Sequence, residues 1–243
     1  LYTRIVTLQD VTLLNQQIAF ENDRYLWLPE STNRRLYAQL ADSETLSPIV
    51  MTPSDMDVSS LDLDNGIAVF HAFDGTYWQI YYCDLNGPQF DVTLIPSEST
   101  GFKSAPRIKD NIVAWNGRDA SNLDQIYFAD LSDISPLGVA IAAVSGEFNN
   151  NPQIDYGIIT WLGGVYPNYE VYYFDTAAET PLAVNLSNNT AWEDNPKMGQ
   201  GVIAWSREAA GNITDVFYYD LFAASPQQVQ VTDSTTSNDR VQE

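Results

Sequence analysis

The chain carries one histidine, His71, and one cysteine, Cys83, among 243 residues. A Ser-His-Asp triad would need that histidine beside an activated serine, yet there is no G-x-S-x-G elbow, and no H-E-x-x-H pair to hold zinc. His71, just after Phe70, reads as a loop or rim residue between two strands. Cys83 reads as a small buried apolar residue. Carboxylates are the abundant reactive groups: Asp plus Glu number 32 against 11 Lys plus Arg, for a formal charge of −21. Opposed across a sugar, two carboxylates hydrolyse a glycosidic bond. Gathered with amides and carbonyls, they bind calcium. The stretch Asn116 to Asp124 offers the second chemistry, with Asp119 and Asp124 as candidate calcium ligands, although it lacks the spacing and terminal Glu of an EF-hand. A third chemistry comes from aromatics among acids and amides. Trp78, Tyr166, Tyr169 and Trp192 are candidates to stack on sugar C–H groups or on an apolar protein surface, while neighbouring Asp and Asn take hydroxyls.

Positioning such groups requires a core, and 44% hydrophobic and 12% aromatic content supplies one. The acidic balance excludes nucleic acid as the main partner, because phosphate neutralisation needs a basic surface, and it disfavours adsorption to anionic membranes. No run of about 18 apolar residues is present, so no membrane insertion is expected. A lone cysteine makes no internal disulfide. The acidic, Lys-poor, Asn- and Thr-rich composition, without an initiator Met, fits a processed prokaryotic protein at the cell surface or outside it, or in the periplasm.

The elements come in repeats. Pro106 to Trp115, Pro152 to Trp161 and Pro196 to Trp205 align without gaps, their prolines 46 and 44 residues apart. Each leads through a polar loop to an aromatic strand ending in Asp: Gln125 to Asp130, Glu170 to Asp175 and Asp215 to Asp220. A copy without the proline runs from Leu61 to Phe70 and on to Asp84. An eroded copy is read in Val11 to Phe20, with Tyr25 to Leu28 as its next strand. Asp110-Asn111, Tyr156-Gly157 and Gln200-Gly201 are hairpin-turn pairs. Strands such as Ile112 to Trp115 are apolar on both faces and need a layer on each side. No amphipathic helix supplies one, so the layers must be other sheets. The expected fold is all-β, a β-propeller of about five four-stranded blades, with a flat sandwich as the alternative. The repeats fall near 9–45, 58–98, 103–145, 149–190 and 193–236 within one domain. Weaker outer strands are expected at Arg35 to Leu40, Asp91 to Ile95, Gly138 to Val144, Leu182 to Leu186 and Gln228 to Thr232.

The pattern Pro-x-Ile-x-x-x-Ile-x-x-Trp, a loop and then Ile-Tyr-x-x-Asp resembles the TolB-like propeller repeat. The match covers residues 61 to 232 well and 11 to 40 faintly. The resemblance implies the fold. It leaves function open, since such repeats serve scaffolds, peptidase-associated propellers and binding modules. TolB itself binds a lipoprotein partner and carries a second domain that is not visible in this sequence.

Tyr2 to Leu8 looks like an outer strand of a preceding unit, and Asn238 to Gln242 like the start of a next one. Three arrangements follow: a closed ring with its ends at the seam, a slice of a longer array, or self-association through terminal strands. The recurrent Asp84, Asp130, Asp175 and Asp220 are expected to cap turns. Phe102, Phe148 and Trp192, each four residues before a motif proline, are expected to wedge between neighbouring blades on the loop face. The functional expectation is a non-catalytic recognition or scaffold module that binds protein or glycan through that face. The alternatives are a carbohydrate-active hydrolase using opposed carboxylates there, and a structural subunit of a surface assembly.

Overall fold

The computed structural model describes residues 18–21, 24–28, 34–40, 49–87, 90–141, 148–209 and 213–233. The strands expected at Tyr2 to Leu8 and Asn238 to Gln242, and most of Val11 to Phe20, lie outside those residues. The described residues form five four-stranded antiparallel sheets, each a simple meander, and no helix. The first contains β1 (Ile18–Glu21), β2 (Arg24–Trp27), β3 (Tyr37–Leu40) and β4 (Ile49–Val50). The second contains β5 (Asp57–Asp64), β6 (Ile67–Phe73), β7 (Trp78–Asp84) and β8 (Val92–Leu94). The third contains β9 (Lys103–Lys109), β10 (Ile112–Arg118), β11 (Asp124–Asp130) and β12 (Val139–Ala140). The fourth contains β13 (Phe148–Asp155), β14 (Ile158–Val165), β15 (Asn168–Asp175) and β16 (Val184–Asn185). The fifth contains β17 (Glu193–Gly199), β18 (Val202–Ala209), β19 (Ile213–Asp220) and β20 (Gln228–Gln230).

Each sheet packs on the next, with the first strands β1, β5, β9, β13 and β17 in succession. The second strand of a unit feeds two cores. In β10, Val113 and Trp115 pack toward the second sheet, while Ala114 packs toward the fourth. In β6, Ala68, Phe70 and Ala72 face one neighbour and Val69 the other. This two-sided burial is why those strands are continuously apolar. The motif aromatic lies directly across from an aromatic on the third strand and stacks on it. Trp115 pairs with Tyr127 (6.1 Å between centroids), Trp161 with Tyr172 (5.6 Å), Trp205 with Phe217 (6.2 Å) and Phe70 with Tyr81 (5.9 Å). Such cross-strand pairs each contribute up to about 1 kcal/mol beyond area burial.

The turn chemistry follows the residues. Asn65-Gly66, Asp110-Asn111, Tyr156-Gly157 and Gln200-Gly201 all have positive φ at both positions, the condition for the tight two-residue hairpin. Ala105, Asn151 and Asn195, each just before a motif proline, also have positive φ. There the first strand bulges opposite the motif Trp. A bulge tolerates the proline, which has no N–H to give the ladder. The second unit, which lacks the proline, still bulges, between Val58 and Ser60. Asp84, Asp130, Asp175 and Asp220 cap as expected: each Oδ1 accepts the backbone N–H two residues on, at 2.8–2.9 Å.

Two placements differ from expectation. In the first unit Arg35 to Leu40 contributes the third strand rather than the outer one, which is β4. Tyr25 to Leu28 therefore supplies the second strand. The reason shows at Glu21, whose carboxylate accepts the N–H groups of Asn65 and Gly66 at 2.8 and 2.7 Å. Asp64 performs the same task for Asp110 in the next unit, so the inner strand ends at Glu21. His71 also lies inside β6 rather than in a loop, because that strand continues to Phe73 in register with Trp78.

Candidate ligand-binding face

Two sets of connections emerge at one end of the sheets: those between second and third strands, and those entering each first strand. Direct contacts tie them together. Asn168 Nδ2 donates to the Asn189 carbonyl (3.3 Å), and Asn149 Nδ2 to the Asp124 carbonyl (2.9 Å). Lys103 Nζ donates to Gln79 Oε1 (2.8 Å).

At the seam of the fourth and fifth sheets, three of the four expected aromatics meet. Trp192 lies edge-on to Tyr166 (5.8 Å) and Tyr169 (5.6 Å), and Tyr166 is 6.4 Å from Tyr169. Phe148 supports Tyr169 from below at 4.8 Å. Tyr166 is 70% exposed and Trp192 37%. The fourth, Trp78, sits at another seam, between the second and third sheets. It contacts His71 (4.8 Å), Phe73 (5.7 Å) and Phe102 (6.2 Å), with Phe102 half exposed. Phe102 and Trp192 thus wedge between sheets and also offer an open face. Their recurrence four residues before the motif proline was the signal for the wedge.

Under Trp192 and Tyr169 the chain alternates inward to carboxylates. Glu193 is fully buried. Its Oε1 accepts Arg207 Nε at 2.7 Å, while Oε2 has no hydrogen-bond partner among the described residues. Burial pushes the Glu193 carboxyl up, with Asn189 and Arg207 opposing. Arg207 in turn lies 3.9 Å over the Phe217 ring. Glu170 accepts the Ser187 hydroxyl and the Asn189 N–H (3.0 Å). Both carboxylates are turned inward, Glu170 through both oxygens and Glu193 through Oε1, so they hold the aromatic seam in place rather than face solvent.

His71 is buried beside Trp78, and its Nδ1 shares a hydrogen bond with Ser60 Oγ. Burial, aided by Arg34, pushes the imidazole down to about 4. It is neutral at pH 7. Cys83 is buried as expected, and burial pushes its thiol up to about 12.

Asp119 lies in the loop after β10, and Asp124 is the first residue of β11, paired with Arg118 across the hairpin. Asp119 Oδ1 accepts the N–H groups of Ser121 and Leu123 (2.8 and 3.0 Å), which holds its carboxyl below the usual range. Asp124 pairs with Arg118 at 2.9 Å. A calcium ion would have to compete with those donors. Among the described residues no three His, Cys, Asp or Glu side chains are grouped to hold a metal.

One residue set escaped the sequence reading. Between the inner strands β5, β9, β13 and β17 lies a cavity of about 480 Å³, lined by Asp62, Arg107, Ile108, Gln153, Ile154, Lys197 and Met198. Asp62, Arg107, Gln153 and Lys197 each follow the motif proline or its equivalent, so their shared register was the available signal. Among the described residues Asp62 is the only carboxylate in that lining. Glycoside hydrolysis requires a second one facing it.

No protein-family model matches the chain, and no curated protein matches it. Solved structures do. A puromycin-hydrolyzing peptidase from Mycobacterium tuberculosis superimposes with a TM-score of 0.59 at 13% identity, over 89% of this chain and 37% of that one. TolB from Acinetobacter baumannii gives 0.52 at 14% identity, over 88% and 56%. A structure from a study of two prolyl endopeptidases gives 0.62 at 11% identity, over 88% and 35%. The chain spans little more than half of TolB and little more than a third of the peptidases. At these identities the likeness shows architecture alone, and the architecture is of the β-propeller type.

Proposed function

We propose that this chain is a non-catalytic recognition or scaffold module, at a prokaryotic cell surface or outside the cell, that binds protein or glycan through its loop face. Its five sheets would close as the blades of one propeller. The observation that carries the reading is the Tyr166–Tyr169–Trp192 cluster. It places exposed rings on one seam, rigidly backed by the Glu193–Arg207 ion pair, beside the amides Asn168 and Asn189. Rigid aromatics with satisfied polar neighbours make good anchors for a sugar or for an apolar side chain. The inward-turned Glu170 and Glu193, and the single carboxylate in the axial cavity, weigh against the hydrolase alternative. Calcium at Asp119 and Asp124 remains part of the proposal as an auxiliary ligand of the same face.

The test is a glycan array, with a peptide array beside it, probed with purified protein in calcium and again in EDTA. Selective binding lost in Tyr166→Ala with the melting temperature unchanged, and in Trp192→Ala with some loss of stability because that ring also wedges between sheets, is the expected result. Loss in EDTA would assign calcium a role. Binding that survives both substitutions would remove this seam from the mechanism.

A further inference from the structure

In a repeat protein, positions held alike in every unit build the fold, and positions that differ within a shared register are free to serve a single site. The innermost strands provide such a contrast. The inner-strand residues Leu63, Ile108, Ile154 and Met198 are apolar in each of the last four units. The residues just before them are Asp62, Arg107, Gln153 and Lys197, an acid, two cations and an amide, and all four line the axial cavity. The chain has only 11 Lys plus Arg for a net charge of −21, yet two of those cations face this one space.

The hydrogen bonding decides which charges are available. Asp62 is spent on the backbone: Oδ1 accepts Leu63 N–H and Oδ2 accepts Ile108 N–H, each at 3.0 Å, which stitches the second sheet to the third. Gln153 turns its Nε2 back onto its own strand, to Asn151 Oδ1 (3.2 Å) and the Pro152 carbonyl (3.0 Å). Arg107, half-buried, makes no side-chain hydrogen bond and no ion pair within 4 Å among the described residues, although its charge is felt by Asp62 in the same lining, whose carboxylate is already spent on the two backbone N–H groups. A guanidinium so placed presents a planar fork suited to a carboxylate or phosphate. Lys197 adds a second positive charge to the lining, and a volume of about 480 Å³ accommodates a small organic ion.

We propose that the axial cavity is a binding site for a small oxyanion, a carboxylate or phosphate compound, held by Arg107 with Lys197 beside it. The residues lie three positions from the hairpin turns, toward the opposite end of the inner strands from the aromatic seams. The site is therefore distinct from the loop face, and its occupancy leaves that face open.

Calorimetric titration of the full chain with citrate and with inorganic phosphate tests this, with glucose as the neutral control. Saturable heat with either anion and none with glucose is expected, and the anion preferred identifies the chemistry. Arg107→Gln should weaken binding about tenfold or more, as loss of a charge-assisted contact does. Lys197→Gln should weaken it less, and Arg118→Gln, which removes the same charge from the surface, should leave it unchanged. Since Arg107 makes no side-chain hydrogen bond among the described residues, only its attraction to Asp62 is lost in the variant, which should melt within a few degrees of the parent. If that variant fails to fold, Arg107→Lys, which keeps the charge and removes the planar fork, is titrated in its place and should also weaken binding, while unchanged affinity in it would count against the site. No saturable heat with either anion, or equal weakening by Arg118→Gln, would overturn the proposal.

Discussion

His71 is the only imidazole in the chain, so its titration can be read without assignment. Burial beside Trp78 and Phe102, with Arg34 nearby, holds its folded pKa near 4 against an ordinary 6.5. The charged form is the one burial disfavours, so the unfolded chain takes the proton first as pH falls. Stability carried by neutral His71 is complete above the unfolded value. It is lost progressively as pH falls from 6.5 toward 4, and below that both states are protonated and no more is lost. A depression of this size corresponds to roughly 3 kcal/mol across that window. Asp62 and Glu193 act with the opposite sign, because burial raises their folded values and acidification relieves that penalty. Whole-protein stability against pH therefore mixes opposing slopes, and the comparison must be with a variant. His71→Gln keeps a polar partner for Ser60 without a titrating ring. Urea unfolding of parent and variant at pH 7 and pH 4 should show the parent losing about 3 kcal/mol relative to the variant. The histidine ring-proton resonance should shift with a midpoint near 4 in the native state. A native midpoint near 6.5, or parallel pH profiles for the two proteins, would refute the burial argument.

Three other outcomes follow from packing. Trp161 donates its indole N–H to Asn149 Oδ1 at 2.9 Å, whereas the Trp205 indole has no hydrogen-bond partner among the described residues. Trp161→Phe should therefore cost more than Trp205→Phe by about 1–2 kcal/mol, the lost bond plus the stranded Asn149, measured by chemical denaturation. Gly138 lies against Trp115, where an added Cβ would come within 2.3 Å of the indole Cζ2. Its backbone is pinned by bonds to Pro96 and Glu98. Gly138→Ala should destabilise by about 1–3 kcal/mol and lower the melting temperature by several degrees. Asp175→Ala removes the cap on the Ala177 N–H and should cost about 1 kcal/mol, read as a shifted denaturation midpoint.

The repeat was legible because its marks have physical duties that each unit must meet alone: an indole to fill the intersheet core, a turn pair with positive φ, an aspartate to cap the next turn. Where a unit meets the same duty with other residues, the alignment slips. In the first unit Ile18 to Phe20 imitates the Ile-Ala-Trp pattern, and the true register is visible only through Glu21 reaching Asn65 and Gly66. A contact across 44 residues leaves no local periodicity to read. The same limit applies to His71. Its segment reads as loop because the polar turn after Phe73 draws the boundary early, while its pairing with Ile80 extends the strand. At the loop face, residue types pointed to aromatics, but only tertiary packing separates Trp78 from the other three and turns Glu170 and Glu193 inward.

Aromatic recurrence and charge variation therefore carry opposite information in this chain. Trp115, Trp161 and Trp205 recur because each must fill the same space, and their near-complete burial leaves no face for a ligand. Tyr166 occurs once, on a hairpin tip, and stands exposed against a recurrent Trp192 that already has a structural post. The proposed binding seam would need only one unrepeated residue beside one repeated one. The cavity lining follows the same logic with charge in place of rings. The inner strands hold a common backbone register, so one substitution per unit changes the chemistry of the cavity without touching the ladder hydrogen bonds. Function in such a fold is gained at positions where the units differ, at little cost to the stability held by the positions where they agree.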